Sequence, residues 1–203
     1  MRPARLVVYS DYLCPWCYVG TIRLHRLEDE FGGDLGLEWR SFLLRPRPDP
    51  NRTFEKFVAY TQSWLRPAAE EESAGFRVWS TQEGPPSHSV PPHLAAKAAA
   101  TLGGDAFERL HPRLLRAYFV DNHDITALET LRGLWRDAGL PENEFDRIDD
   151  PALFKTVVDQ HNEAIELGVG GVPSVRSADS DAVITGAHPY ETYRRWVAKL
   201  IAT

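Results

Sequence analysis

Asp11-Tyr12-Leu13-Cys14-Pro15-Trp16-Cys17-Tyr18-Val19-Gly20 is the stretch on which the reading of this chain turns. Just upstream, Leu6-Val7-Val8-Tyr9 is a short apolar, β-branched run of the kind that forms a buried strand. Downstream, Ile22, Leu24, Leu27 and Phe31 recur near helical spacing, and Gly32-Gly33 stops the helix. Pro15 suits a first helical position, where a missing N–H costs nothing. Cys14 is then the N-cap, and Cys17 lies one turn on along the same face. Orphan N–H groups and the helix dipole at that end favour an anion on Cys14. Two sulfurs within bonding reach, one of them set where a thiolate is stabilised, make the layout of a redox-active dithiol.

These are the chain's two cysteines, in 203 residues. Neighbouring cysteines staple nothing distant, so a disulfide framework is excluded. A zinc ribbon needs two more ligands, and the nearest histidine pair, His88 and His93, lies far along in a Pro-rich stretch. Covalent haem attachment needs His after the second Cys, where Tyr18 stands. With 23 Lys+Arg against 29 Asp+Glu, the net charge of −6 argues against a nucleic-acid partner. No apolar run approaches the ~18 residues of a membrane span, and Leu6 to Tyr9 is too short for a secretory leader. The chain therefore reads as a soluble protein of the cytoplasm.

Gly36 to Leu44 alternates and predicts a second strand, completing a β-α-β unit. Three prolines in Arg45-Pro46-Arg47-Pro48-Asp49-Pro50 mark a junction. From Thr53 to about Leu167 the reading is helical. Phe54, Phe57, Val58, Thr61 and Trp64 form one stripe, and Ser80 to Pro92 holds four prolines and is expected to be irregular. His93 to Leu102 is Ala-rich, and Asp105 to Val120 carries Pro112 as a kink or start. Thr126 and Glu129 suggest a capping box for a helix ending at Gly139. Asp150-Pro151 opens another helix, with His161 on its apolar face as a hydrogen-bonded core residue. Val172 to Arg176 and Ala182 to Thr185 are strands, and Pro189 starts the last helix. The order is β-α-β, a helical block, then β-β-α.

The Asp11-to-Gly20 stretch, with Cys14-Pro15-Trp16-Cys17 at its centre, resembles the active-site segment of the FrnE-like branch of the DsbA thiol–disulfide oxidoreductase family. Ala117-Tyr118-Phe119 through Asp124-Ile125, Glu166 through Pro173, and Ile184-Thr185-Gly186-Ala187 are similar to that branch in the same order. The resemblance implies an α/β fold, a thioredoxin-like β-α-β / β-β-α core interrupted by an all-helical insertion domain. Residues 1–45 and 166–203 would form the core and 46–165 the insertion. It further implies an exposed Cys14 nucleophile, Cys17 as resolving thiol, and a cis Val172–Pro173 peptide facing the cysteines, with Val172 presenting backbone to a bound peptide. Members of the periplasmic DsbA type carry His within the motif. Trp16 stands there in this chain, so a couple less oxidising than roughly −120 mV and nearer roughly −270 mV is expected.

Catalysis would run by thiol–disulfide exchange, with no metal or bound cofactor, acting in the cytoplasm as reductase or isomerase. Its partners would be a disulfide-containing protein or small-thiol substrate, such as glutathione as co-substrate, and a reductant that recycles the pair. A homodimer is left open. Trp16 and Tyr18 are candidate substrate contacts with Val172 and Pro173, and Asp11 is a candidate acceptor for the Cys17 proton. Two rivals remain: a glutathione-dependent transferase or 2-hydroxychromene-2-carboxylate isomerase of the same fold, which typically has Ser in place of Cys14, and a non-catalytic peptide-binding module.

Overall fold

The computed structural model of the protein describes residues 3–73 and 75–202. Strand β1 (Ala4–Ser10) is central. It pairs in parallel with β2 (Leu35–Ser41) and antiparallel with β3 (Ser174–Ser177), which in turn pairs with β4 (Val183–Thr185). The sheet order is β2-β1-β3-β4. Leu6 to Tyr9 is an unbroken apolar run because β1 is covered on both faces. On one face Leu6 and Val8 meet Leu24 and Leu27 of α1 (Pro15–Phe31) and Tyr193 and Val197 of α8 (Tyr190–Ile201). On the other, Val7 and Tyr9 meet Phe42, Val169 and Ala164 of α7 (Pro151–Glu166).

Helix α7 is thus a layer of the sheet although most of it precedes residue 166. Tyr9 donates its hydroxyl proton to Glu163 at 2.8 Å, and the Leu43 N–H donates to His161 Nδ1 at 3.2 Å. Asp150 caps this helix, accepting from Ala152 N–H at 2.8 Å.

Between β2 and α7 the chain is helical: α2 (Phe54–Thr61), α3 (Leu65–Ala68), α4 (Val90–Thr101), α5 (Ala106–Phe119) and α6 (Leu128–Asp137). Helix α4 begins within the stretch expected to be irregular. Pro91 and Pro92 fit there because a helix's first N–H groups need no intrahelical partner. Helix α5 runs through Pro112 instead of starting at it. The expected capping box does not form. Ala127 is the N-cap of α6, and Thr126 instead gives its N–H and hydroxyl to Asp124 Oδ1 at 2.8 and 2.6 Å, closing a turn before the helix.

Trp64 is the hub of the helical block. Its ring is fully buried against Phe57, Phe76, Trp79, Tyr118 and Phe119, with centroids 5.1–6.5 Å away. Trp64→Ala should lower unfolding free energy by about 3–5 kcal/mol in a denaturant titration. A loss below 1 kcal/mol would mean that this cluster does not hold the block together.

Candidate active site

Helix α1 starts at Pro15, and Cys14 is its N-cap with φ −93° and ψ 115°. The loop before it is closed by the Cys14 N–H, which donates to the Asp11 carbonyl at 3.1 Å. Both cysteines are free thiols. Cys14 Sγ lies 3.2 Å from the Val172 carbonyl oxygen and donates to it. The Val172–Pro173 peptide is cis. Helix start and β3 loop, 158 residues apart in sequence, therefore meet at this sulfur.

The two thiols differ sharply in environment. Cys17 is completely buried, and burial pushes its thiol well above the ordinary range. The neighbouring Cys14 thiol pushes the same way, while the Ser10 hydroxyl and the Asp11 backbone oppose. Cys17 therefore keeps its proton until a reaction removes it. Cys14 is not the open nucleophile expected from the resemblance: it is only 5% exposed, because the Val172 carbonyl covers its sulfur.

Asp11 is fully buried, and desolvation raises its carboxyl to about 6 despite a Ser89 hydrogen bond and the backbone N–H groups of Leu13 and Leu44, each 2.6 Å away. Both carboxylate oxygens are engaged in tying the active-site loop to the end of β2. Trp16 and Val172 are half-buried at the mouth, and Pro173 is buried beneath it. Tyr18 does not join them as a substrate contact. It is 7% exposed, and its ring packs at 5.4 Å from Phe76 and 5.8 Å from Phe119, because position 18 of α1 faces the helical block. Tyr12 is likewise buried, its hydroxyl 2.8 Å from His111 Nδ1.

Two residues beyond the dithiol hold this geometry. A Cβ added to Gly20 would lie 2.9 Å from Pro173 Cγ, so its missing side chain lets α1 approach the loop. Buried Arg23 donates to the carbonyls of Ala187 and His188 at 2.9 and 3.1 Å, and to Glu70 and Glu72 at 2.6 and 2.9 Å. It joins α1, the loop after β4 and the helical block. The only sequence signal for Arg23 is a charge beside the buried stripe of Leu24 and Leu27. Away from the cysteines, His25 meets Glu28 at 3.3 Å and Glu108 at 3.9 Å, bringing three potential metal ligands within 4.8 Å of one another.

Gly20→Ala should destabilise by about 1–3 kcal/mol through overpacking. Gly133→Ala, on α6 with nothing within 4 Å of the new methyl, should stabilise by about 0.5–1 kcal/mol. Paired denaturant titrations check the opposite signs. For Asp11, the folded state binds the proton more tightly than the unfolded chain. Stability should therefore fall as pH rises from about 4 to about 6 and stay level above, a loss of roughly 3 kcal/mol. Comparing unfolding of the native protein with Asp11→Asn across that window isolates the contribution, and parallel curves would refute it.

A model of the DSBA-like thioredoxin domain matches residues 5–198. Among curated relatives, the uncharacterized protein YwbO of Bacillus subtilis is 24% identical over 201 residues, covering 94% of each chain. Among solved structures, the probable DsbA oxidoreductase SCO1869 of Streptomyces coelicolor superposes with a TM-score of 0.79 at 24% identity, covering 98% of this chain and 90% of that one. The cytosolic disulfide reductase DsbM of Pseudomonas aeruginosa has a TM-score of 0.71 at 20% identity, covering 98% and 95%. With its dithiol at the start of α1 and helices inserted between the strands, the chain belongs to the DSBA-like thioredoxin domain family.

Proposed function

We propose that the protein is a thiol–disulfide oxidoreductase of the FrnE-like branch, working in the cytoplasm as a reductase or isomerase. The observation that carries this reading is the asymmetric pair. Cys14 sits at a helix N-terminus against the Val172 carbonyl, and Cys17, one turn on, is fully buried and held protonated by that burial. Cys14 thiolate attacks a substrate disulfide, forming a mixed disulfide and releasing one thiol. Cys17 then attacks Cys14 Sγ, the second substrate thiol leaves, and the Cys14–Cys17 disulfide remains. The substrate is reduced by two electrons and the protein oxidised by two.

Val172 and Trp16 border the mouth. An extended peptide would add its backbone beside Val172 there, as a strand adds to a sheet edge, and lay an apolar side chain on Trp16. Val172 must release Cys14 as that peptide binds. Pro173 supports the loop from below against Gly20. Trp16 carries no positive charge, so it adds nothing to thiolate stabilisation. This favours a reducing couple over a strongly oxidising one, and the cytosolic disulfide reductase among the structural relatives agrees with that direction. A small thiol such as glutathione would serve as recycling reductant.

Cys17→Ser should accumulate covalent mixed disulfides with disulfide-containing substrates, seen as adducts that dithiothreitol releases. Cys14→Ser should accumulate none. The native protein should catalyse reduction of insulin by dithiothreitol. Adducts on Cys14→Ser alone would reverse the roles. Conjugation of glutathione to an aromatic electrophile without insulin reduction would establish the transferase reading instead.

A further inference from the structure

Helix α1 carries a second cluster where it meets α5, away from the cysteines. His25 Nδ1 lies 3.3 Å from Glu28 Oε2 and 3.9 Å from Glu108 Oε2, and the three donor atoms fall within 4.8 Å of one another. His25 and Glu28 are one turn apart on α1, and Glu108 comes from the first turn of α5. The spacing decides between two readings. A charge-assisted hydrogen bond would draw nitrogen and oxygen to about 2.7–2.9 Å. Donors around one zinc ion, with bonds of about 2.0–2.2 Å at tetrahedral angles, stand roughly 3.3–3.6 Å apart. The His25–Glu28 distance already has the second value, and half-exposed Glu108 needs to close by only a few tenths of an ångström.

The surroundings hold the donors in place. The His25 ring packs 5.5 Å from Trp39 and 5.9 Å from His111, centroid to centroid. Its Nε2 is buried without a hydrogen-bond partner among the described residues, which leaves Nδ1 as the nitrogen open to a ligand. Glu28 Oε1 accepts the Leu37 N–H at 3.2 Å, so Oε2 is its free oxygen. Beside the cluster, a hollow of about 480 Å³ between α1 and α5 gives water room to approach. Thr21, one turn before His25, borders it; the residue is 3% exposed and its Oγ1 has no partner among the described residues. A buried hydroxyl left so calls for a water or a ligand. Pro112 borders it too and has no N–H for the Glu108 carbonyl, so that oxygen lacks its helical donor. Arg26 is a cation at the same rim, but its guanidinium lies 3.9 Å over the Tyr190 ring, toward α8.

The geometry points to a zinc site on His25 Nδ1, Glu28 Oε2 and Glu108 Oε2, with water from the hollow as fourth ligand. Two carboxylates balance a divalent charge, and the imidazole selects zinc over magnesium and calcium, which take oxygen ligands. The ion pins α1, the helix that starts at the dithiol, to α5 of the helical block. The site is separate from the sulfurs and stands whether or not the oxidoreductase reading does.

The test is calorimetric titration of zinc chloride into the full chain carrying Cys14→Ser and Cys17→Ser, so that no thiolate competes for the metal. One zinc per chain is expected, with micromolar or tighter affinity. On that background His25→Ala, Glu28→Gln and Glu108→Gln should each weaken binding by at least about tenfold. Asp29→Asn, on the rim of the same hollow, should bind zinc as before. Zinc at about a hundredfold excess over the dissociation constant should raise the melting temperature by roughly 5–10 °C, and a chelator should reverse the rise. A chain that takes up no zinc overturns the proposal. Binding that survives all three substitutions also overturns it, since the ion would then sit elsewhere, as at His123 and Glu83. Binding that only His25→Ala weakens is adsorption to a surface histidine and overturns it as well. Calcium raising the melting temperature as far as zinc does the same, because the imidazole would then play no part. Glu108→Gln changes an exposed side chain to its isostere, so a native melt without zinc separates loss of binding from loss of fold.

Discussion

The contact between α1 and the loop before β3 governs everything around the dithiol. It is close because position 20 carries no side chain, and Pro173 occupies the space a methyl would need. That approach sets the Val172 carbonyl 3.2 Å from Cys14 Sγ. Arg23, one turn beyond Gly20, then fixes the neighbouring 187–188 backbone and draws in Glu70 and Glu72. The buried Arg23 guanidinium needs its carboxylates, since losing them would leave its charge unpaired in the interior. The site is therefore held by elements from both ends of the chain and from the helical block.

Much of this was legible in the sequence because local chemistry and tertiary structure agree there. Pro15 at a helix start, the apolar run of β1 and the glycine pair after Phe31 each have one cheap local solution, and the fold uses it. The cysteines announce themselves by spacing. What escaped were features set by packing across the molecule. Tyr18 looks like an active-site aromatic from its neighbours in sequence, yet its place on the helix turns it toward Phe76 and Phe119. Thr126 and Glu129 have the spacing of a capping box, but Asp124 captures Thr126 first.

The helical block also changes what the sheet presents. α4 and α5 pack against the C-terminal end of β2, so the pocket beside Ser10 is built from block residues as well as core ones. Buried histidines cluster there: the rings of His111 and Trp39 are 4.5 Å apart, and Tyr12 lies 4.9 Å from His93. Held neutral by burial, they supply polarity without adding charge beside Lys97.

The sheet has an order that synthesis cannot follow. β1, α1 and β2 emerge from the ribosome early, but the partner strand of β1 on its other side begins only at Ser174. Until that distant segment arrives, the growing chain carries its dithiol without the carbonyl that later shields it, and β1 keeps one edge unpaired. The newborn polypeptide is thus at its most vulnerable to stray oxidation and to sticking to its neighbours while the helical block is still being made.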